Sequence, residues 1–382
     1  NPLLESHPLP PFSQIQPEHV EPAIRELIEQ NKRRIDELLG TQPAYSWDNL
    51  LQPIEDMEDA LAQAWSPVSH LNSVRNSDAL REAYNACLPL LSEYSTWMGQ
   101  HTRLCAAYQA IADSGDFAAW DDARRKTVEN ALRDFRLAGV SLPEEQKREF
   151  GELRRRLSEL GSKFGENVLD ATNAWSKQLT REELDGLPDT ALANARQAAE
   201  EAGLDGYLVN LEFPSFSPVL TYCHDRSLRE EVYTANCTRA SAEGPHAGQW
   251  DNSAIIEETL ALRQRLARLL GFADYSELSL ATKMADSPDR VISFLEELAA
   301  HSVSRAREEW RDLEAYARAE DGLETLESWD VSYYSEKLRQ QRYDVSQEDI
   351  RPYLPVSKVL PGLFEVVQRL YGLDVLAVDG FD

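Results

Sequence analysis

Apolar residues recur at intervals of three and four along most of this chain, the spacing that gathers them on one face of an α-helix. Pro17 stands at a helix-start position ahead of Val20, Ile24, Leu27, Ile28, Ile35 and Leu38, and Gly40 is placed to end that helix. Pro143 followed by Glu144 and Glu145 opens a longer run: Phe150, Leu153, Leu157, Leu160, Phe164, Val168, Ala171, Trp175 and Leu179. Its intervals are 3, 4, 3, 4, 4, 3, 4 and 4. Gly151, Gly161 and Gly165 lie inside it, each costing about 1 kcal/mol relative to Ala, so close contact with a neighbouring helix is expected at the glycines. A further helix is predicted from Ser287-Pro288 to about Glu320 without an internal Gly. At ~1.5 Å per residue it reaches on the order of 50 Å, the length of a wall.

Period-two patterning is sparse. Tyr207, Val209, Leu211 and Phe213 alternate with their neighbours up to Pro214 and predict a short strand over 207–213. Leu373 to Val378 is a second candidate. The segment Ala240–Gly248 reads as a loop between helices ending near Arg239 and starting near Asp251. The fold class is therefore mainly α, with minor short β-strands, and three regions are expected: residues 1–142, 143–286 and 287–382.

Composition narrows the classes. A chain of 382 residues can bury a substantial core. The 66 acidic against 39 basic residues give a formal charge of −27, which repels phosphate backbones and anionic membrane surfaces, so neither nucleic acid nor membrane is an expected partner. No apolar run approaches the ~20 residues that span a bilayer. Cys87, Cys105, Cys223 and Cys237 are too few and scattered for a disulfide framework, and reduced thiols in a cytoplasmic setting fit them. The eight tryptophans fall mostly on apolar helix faces and are expected in the core.

The spacing of ligand and nucleophile residues offers few candidate sites. Cys223-His224 with Cys237 is the densest set of soft ligands, but adjacent helical residues point about 100° apart and no fourth ligand is spaced to join them. Glu243-Gly244-Pro245-His246 has the Glu-x-x-His spacing of a di-iron bundle across a Gly-Pro that breaks the helix the motif needs. Glu297 and His301 share a helix face and read as a solvated pair. No nucleophile elbow and no phosphate-cradling glycine loop occurs. Charge runs such as Arg154-Arg155-Arg156 and Glu257-Glu258 read as solvated faces.

Three stretches carry a family resemblance. Leu269-Leu270-Gly271-Phe272-Ala273-Asp274-Tyr275-Ser276-Glu277, continuing through Ser279–Ala285 to Ser287-Pro288, resembles the mid-chain signature of the thimet oligopeptidase family of zinc peptidases. Trp329–Lys337, then Tyr353-Leu354-Pro355 with Gly362-Leu363-Phe364-Glu365-Val366-Val367, follow in that family's order. The resemblance implies a long-helix, multi-helical lobe of a two-lobed metallopeptidase, whose deep channel admits short unfolded peptides. It implies one zinc ion held by His-Glu-x-x-His and a later Glu, the metal polarising the scissile carbonyl and activating water, with the motif's Glu as general base.

No His-Glu dipeptide occurs here: the histidines are His7, His19, His70, His101, His224, His246 and His301. The expectation is accordingly a piece of a longer enzyme, without an initiator Met and inactive by itself. No catalytic residue and no metal ligand is expected within it, and the missing catalytic half is its expected partner. Tyr333 and Tyr334, in the second stretch, have flat apolar bodies and hydroxyls that suit a peptide channel, and packing against neighbouring helices is the competing role. On a helix they face different sides, so at most one is expected to reach a channel. A non-catalytic helical scaffold that binds peptides or proteins is the alternative to the peptidase.

Overall fold

The structure, a computed structural model, describes residues 1–41 and 44–379. In chain order its α-helices begin with α1 (Pro17–Thr41), α2 (Gln52–Val74), α3 (Asp78–Gly99), α4 (Thr102–Ala112), α5 (Asp122–Leu137) and α6 (Glu144–Ala174). Strand β1 (Ser176–Leu179), α7 (Asp189–Glu201), β2 (Tyr207–Asn210), α8 (Phe213–Tyr222), α9 (Arg226–Cys237), α10 (Ser253–Leu269) and α11 (Tyr275–Leu280) follow. The last helices are α12 (Pro288–Asp321), α13 (Val331–Tyr343), the single turn α14 (Gln347–Ile350) and α15 (Val356–Tyr371). The fold is mainly α, as the periodicity predicts. The chain divides into two compact units, the first of Asn1–Lys163, Glu257–Thr282 and the residues from Val378 on, the second of Phe164–Ile256 and Lys283–Ala377.

In the first unit α1 packs on α2 and α3. Val20, Ile24 and Ile28 on one face of α1 join Leu61, Val68 and Leu80 in one core, and Ile35 and Leu38 join Leu50, Leu104, Ile111 and Val128 in another. Between these helices Asn31 donates to the Tyr94 hydroxyl at 3.3 Å, and that hydroxyl donates to Glu58. Burial raises the Glu58 carboxyl above its ordinary range although the Tyr94 bond opposes it. Phe150 and Leu153 of α6 meet Leu266 of α10. The charge runs are tethered rather than only solvated: Arg156 holds Glu258 through two bonds of 2.6 and 2.8 Å. Of the glycines in α6, Gly151 approaches a neighbour, a Cβ there lying 3.6 Å from Thr96 Cγ2, whereas nothing stands within 4 Å of one at Gly161 or Gly165.

The second unit corrects the predicted end of the long helical run. Helix α6 stops at Ala174, and Ser176–Leu179 pair antiparallel with Tyr207–Asn210 in the register Ser176↔Asn210 to Leu179↔Tyr207. Leu179 thus continues the apolar spacing as a strand residue, and Trp175 and Leu179 are buried with Leu184, Leu192, Val209, Val219 and Val232. The strand predicted to Phe213 ends at Asn210, because Pro214 in the first turn of α8 draws Phe213 into that helix. Leu373–Val378, the other candidate, forms no strand: a strand needs a hydrogen-bonding neighbour, and the described residues supply none there. Residues 240–252 form the predicted loop, closed where the Asn252 N–H donates to Ala240 O at 3.0 Å and fastened by the buried Asn167–Asn252 bond at 2.8 Å. Among the tryptophans only Trp175 is fully buried, and Trp310 is exposed on α12.

Candidate functional site

The polar groups most constrained in the second unit surround Tyr333 and Tyr334. Asp225 caps α9 by accepting from the N–H groups of Ser227 and Leu228, which fixes the first turn and sends Arg226 and Arg229 toward α13. Both meet Asp330, which is 0% exposed at the entry to α13. Arg226 donates through Nη2 to Oδ2 at 2.7 Å and through Nε to Oδ1 at 3.0 Å, and Arg229 donates through Nη2 to Oδ1 at 3.1 Å. The Glu327 N–H adds a bond at 3.1 Å. Burial alone would raise the Asp330 carboxyl, but the bonds from Arg226, the Glu327 backbone and Arg229 outweigh it and hold the group below its ordinary value.

Arg229 is itself buried, its Nη1 donating to Cys223 O at 2.7 Å and its guanidinium carbon 4.0 Å from the centre of the Tyr333 ring. The Lys337 ammonium stands 4.6 Å from the same centre. Burial works to lower the Lys337 pKa, and the Tyr333 hydroxyl with nearby acidic groups outweighs it, leaving the net shift upward. Tyr334 donates to Asp321 at 2.9 Å, and burial together with that acceptor raises its phenol. Tyr333 and Tyr334 pack against each other. Both are buried, at 4% and 3% exposure, edge to face with ring centres 5.1 Å apart, because Leu313, Ala317 and Leu326 close around them.

At the rim of this cluster His224 Nδ1 lies 2.9 Å from Asp185 Oδ2, a bond that lowers the exposed Asp185 carboxyl. The His224 ring stands edge-on to Tyr333 at 6.2 Å. Gly186, with φ +93°, lets the backbone pass here: a Cβ on it would lie 2.3 Å from Tyr222 O. Sequence spacing did not reveal these partners. Arg226 and Arg229 have a visible i, i+3 relation, but Asp330 lies 104 residues from Arg226 and Asp185 lies 39 from His224.

The soft-ligand set does not assemble. Cys223 is buried with its thiol near Glu183 O at 3.5 Å, His224 is engaged with Asp185, and Cys237 is exposed at the end of α9. Among the described residues no group of three His, Cys, Asp or Glu side chains is placed to hold a metal ion. The described side chains therefore offer no set that fits a zinc centre. What the arrangement provides is a rigid polar and aromatic frame with Arg226, His224 and Lys337 at its accessible edge.

Comparison with known proteins gives the class. Residues 24–147 match the Neurolysin/Thimet oligopeptidase N-terminal domain, and residues 219–381 match Peptidase family M3. The chain belongs to this peptidase family. It is 51% identical over 383 residues to Oligopeptidase A of Haemophilus influenzae, covering 100% of this chain and 56% of that protein. Oligopeptidase A of Escherichia coli is 50% identical over 374 residues, covering 98% of this chain and 55% of the relative. The Probable cytosolic oligopeptidase A of Arabidopsis thaliana is 36% identical, covering 100% of this chain and 55% of the relative. The chain thus spans little more than half the length of the curated relatives it matches. No helix among the described residues is long and apolar enough to cross a membrane.

Proposed function

We propose that these residues belong to a zinc-dependent oligopeptidase that hydrolyses short unfolded peptides in the cytoplasm, and that taken alone they do not catalyse the reaction. The observation that carries this reading is 51% identity, along the whole of the chain, to a protein named Oligopeptidase A. The absence of a His-Glu dipeptide supports the second half, since family M3 membership otherwise brings the expectation of a zinc motif. No catalytic step is assigned to the side chains here, because no metal-ligating group occurs among the described residues.

What this chain contributes in the proposal is scaffold and substrate contact. Tyr333 and Tyr334 stand behind the wall of the peptide channel and support it. With both rings buried, their part is to fix Lys337, Arg229 and Asp321 rather than to present a free hydroxyl. The net charge of −27 supports peptide over nucleic acid as the substrate class.

The test compares the 382-residue chain with the full product of its gene, each incubated with zinc and an internally quenched fluorescent peptide. Cleavage abolished by a chelator is expected from the full product and not from the chain. Chelator-sensitive cleavage by the chain would overturn its inactivity. A full product that binds peptide without turnover would establish a binding scaffold instead.

A further inference from the structure

Within the first unit α3 and α6 face each other across an open groove of about 680 Å³, with the start of α4 at one end. Gln100 donates to Lys147 O at 3.5 Å, and a Cβ on Gly151 would lie 3.6 Å from Thr96 Cγ2, so the two helices run antiparallel along it. Having no side chain, Gly151 keeps the middle open, where Thr96 and Trp97 form the lining. The Trp97 ring is fixed by Tyr94 stacked at 6.1 Å and by His101 edge-on at 4.9 Å. Charges are sorted along the groove. At the α4 end Lys147 is paired with Glu144 at 3.4 Å, and Arg103 gives an N–H to Leu39 O at 3.0 Å. Neither Arg103 nor Arg148, which lines the same end, has a carboxylate at ion-pairing distance among the described residues. Toward the other end Arg155 is held by Glu159, whereas Glu93 and Glu152 have no cationic partner among the described residues.

We infer that this groove binds a short peptide by its two charged ends, the terminal carboxylate at Arg103 and Arg148 and the terminal ammonium at Glu93 and Glu152, with an apolar side chain beside Trp97. That the zwitterion is a peptide rests on the reading given under Proposed function. Two uncompensated guanidinium groups at one end and two uncompensated carboxylates at the other complement a molecule that carries one charge of each sign, and charge-assisted hydrogen bonds are the strong ones. A polyanion such as a nucleotide would meet the same two carboxylates within a chain of net charge −27. Length sets the size of the peptide. From the level of Arg148 to that of Arg155 is about 10 Å at the helical rise. That distance accommodates about three residues of extended chain. The volume falls in the range of small-molecule sites, where a few placed polar groups fix the orientation of the bound molecule.

The experiment titrates three probes calorimetrically into the 382-residue chain: the tripeptide Gly-Phe-Gly with free ends, its C-terminal amide and its N-acetyl form. Three variants are compared with the unaltered chain: Arg103→Gln with Arg148→Gln, Glu93→Gln with Glu152→Gln, and Arg154→Gln as a control at an exposed position of α6 outside the groove. The unaltered and Arg154→Gln chains are expected to bind the free tripeptide equally, and each blocked form at least about tenfold more weakly, the scale of one charge-assisted hydrogen bond. The arginine double variant should bind the free tripeptide and its amide alike while still rejecting the acetyl form, and the glutamate double variant should do the converse. Lost folding would not reproduce that pairing of peptide end with residue. The substituted residues are exposed, so circular dichroism and thermal melts should stay unchanged. No binding of the free tripeptide at millimolar concentration would overturn the inference, as would variants that weaken all three probes equally. Cleavage of the quenched peptide by the full gene product is scored separately. A full product that cleaves, beside a chain that binds no tripeptide, would overturn the groove alone. Binding with the expected pairing, beside a full product that cleaves nothing, would leave the groove standing and overturn the peptidase reading.

Discussion

Asp330 is the residue on which the frame around Tyr333 depends. It gathers two guanidinium groups and a backbone N–H while excluded from water, and Arg229, 1% exposed, has no other anionic partner among the described residues. Removing one member of such a pair leaves an uncompensated buried charge, so Asp330→Ala is expected to destabilise the second unit by about 3–5 kcal/mol, measured by urea unfolding. Arg229→Met combined with Asp330→Ala should recover part of that loss, giving a coupling energy that a merely local cap would not. The pH dependence follows from the sign of the shift. The folded pKa of Asp330 lies below its unfolded value, so its contribution is fully present above the unfolded carboxylate range near ~3.9 and is lost as pH falls through the folded value. The gap between the native chain and Asp330→Asn should thus hold constant from pH 7 to about pH 5 and shrink below about pH 4. A gap that widened on acidification would refute the assignment.

At the scale of elements, a pair of glycines separates what local spacing shows from what only the fold decides. Gly186 joins the β1 side of the second unit to α7 at φ +93°, with Tyr222 O where a Cβ would be, so Gly186→Ala is expected to destabilise by several times the ~1 kcal/mol scale of a simple backbone-entropy effect. Gly165 lies inside α6 with open space around it, and Gly165→Ala should stabilise by about 0.5–1 kcal/mol. Thermal melts of the two variants moving in the same direction would refute the contrast. From sequence both glycines look alike. Helix boundaries set by local chemistry were legible: Ser287 accepts from the Arg290 N–H, Pro288 opens α12, and the helix ends at a left-handed Gly322 close to the predicted Glu320. The strand boundaries were not, because Leu179 satisfies helical spacing and strand pairing equally, and only Tyr207 across the sheet decides between them. The Arg226–Asp330 site was invisible for the same reason, being a contact across 104 residues rather than a pattern within one element. Exposure of Trp310 has the corresponding cause: its helix is amphipathic, but no described element covers that stretch.

At the scale of the whole chain, each of the five hydrophobic clusters lies wholly within one of the two units. Cooperative unfolding follows shared core, so two units that share none are expected to unfold in separable transitions rather than one. The substitutions above give the means to assign them. Asp330→Ala acts in the second unit, and Ile24→Ala, which empties a fully buried position among Val20, Ile28 and Leu61, acts in the first at a cost of about 2–5 kcal/mol. In differential scanning calorimetry each variant should lower one transition and leave the other within about 1 °C, since sites without common partners act additively. A single transition that both variants shift to a similar extent would mean that the chain unfolds as one cooperative body. In that event the continuous helices α6 and α10, which contribute residues to both units, would carry the coupling that the separate cores do not.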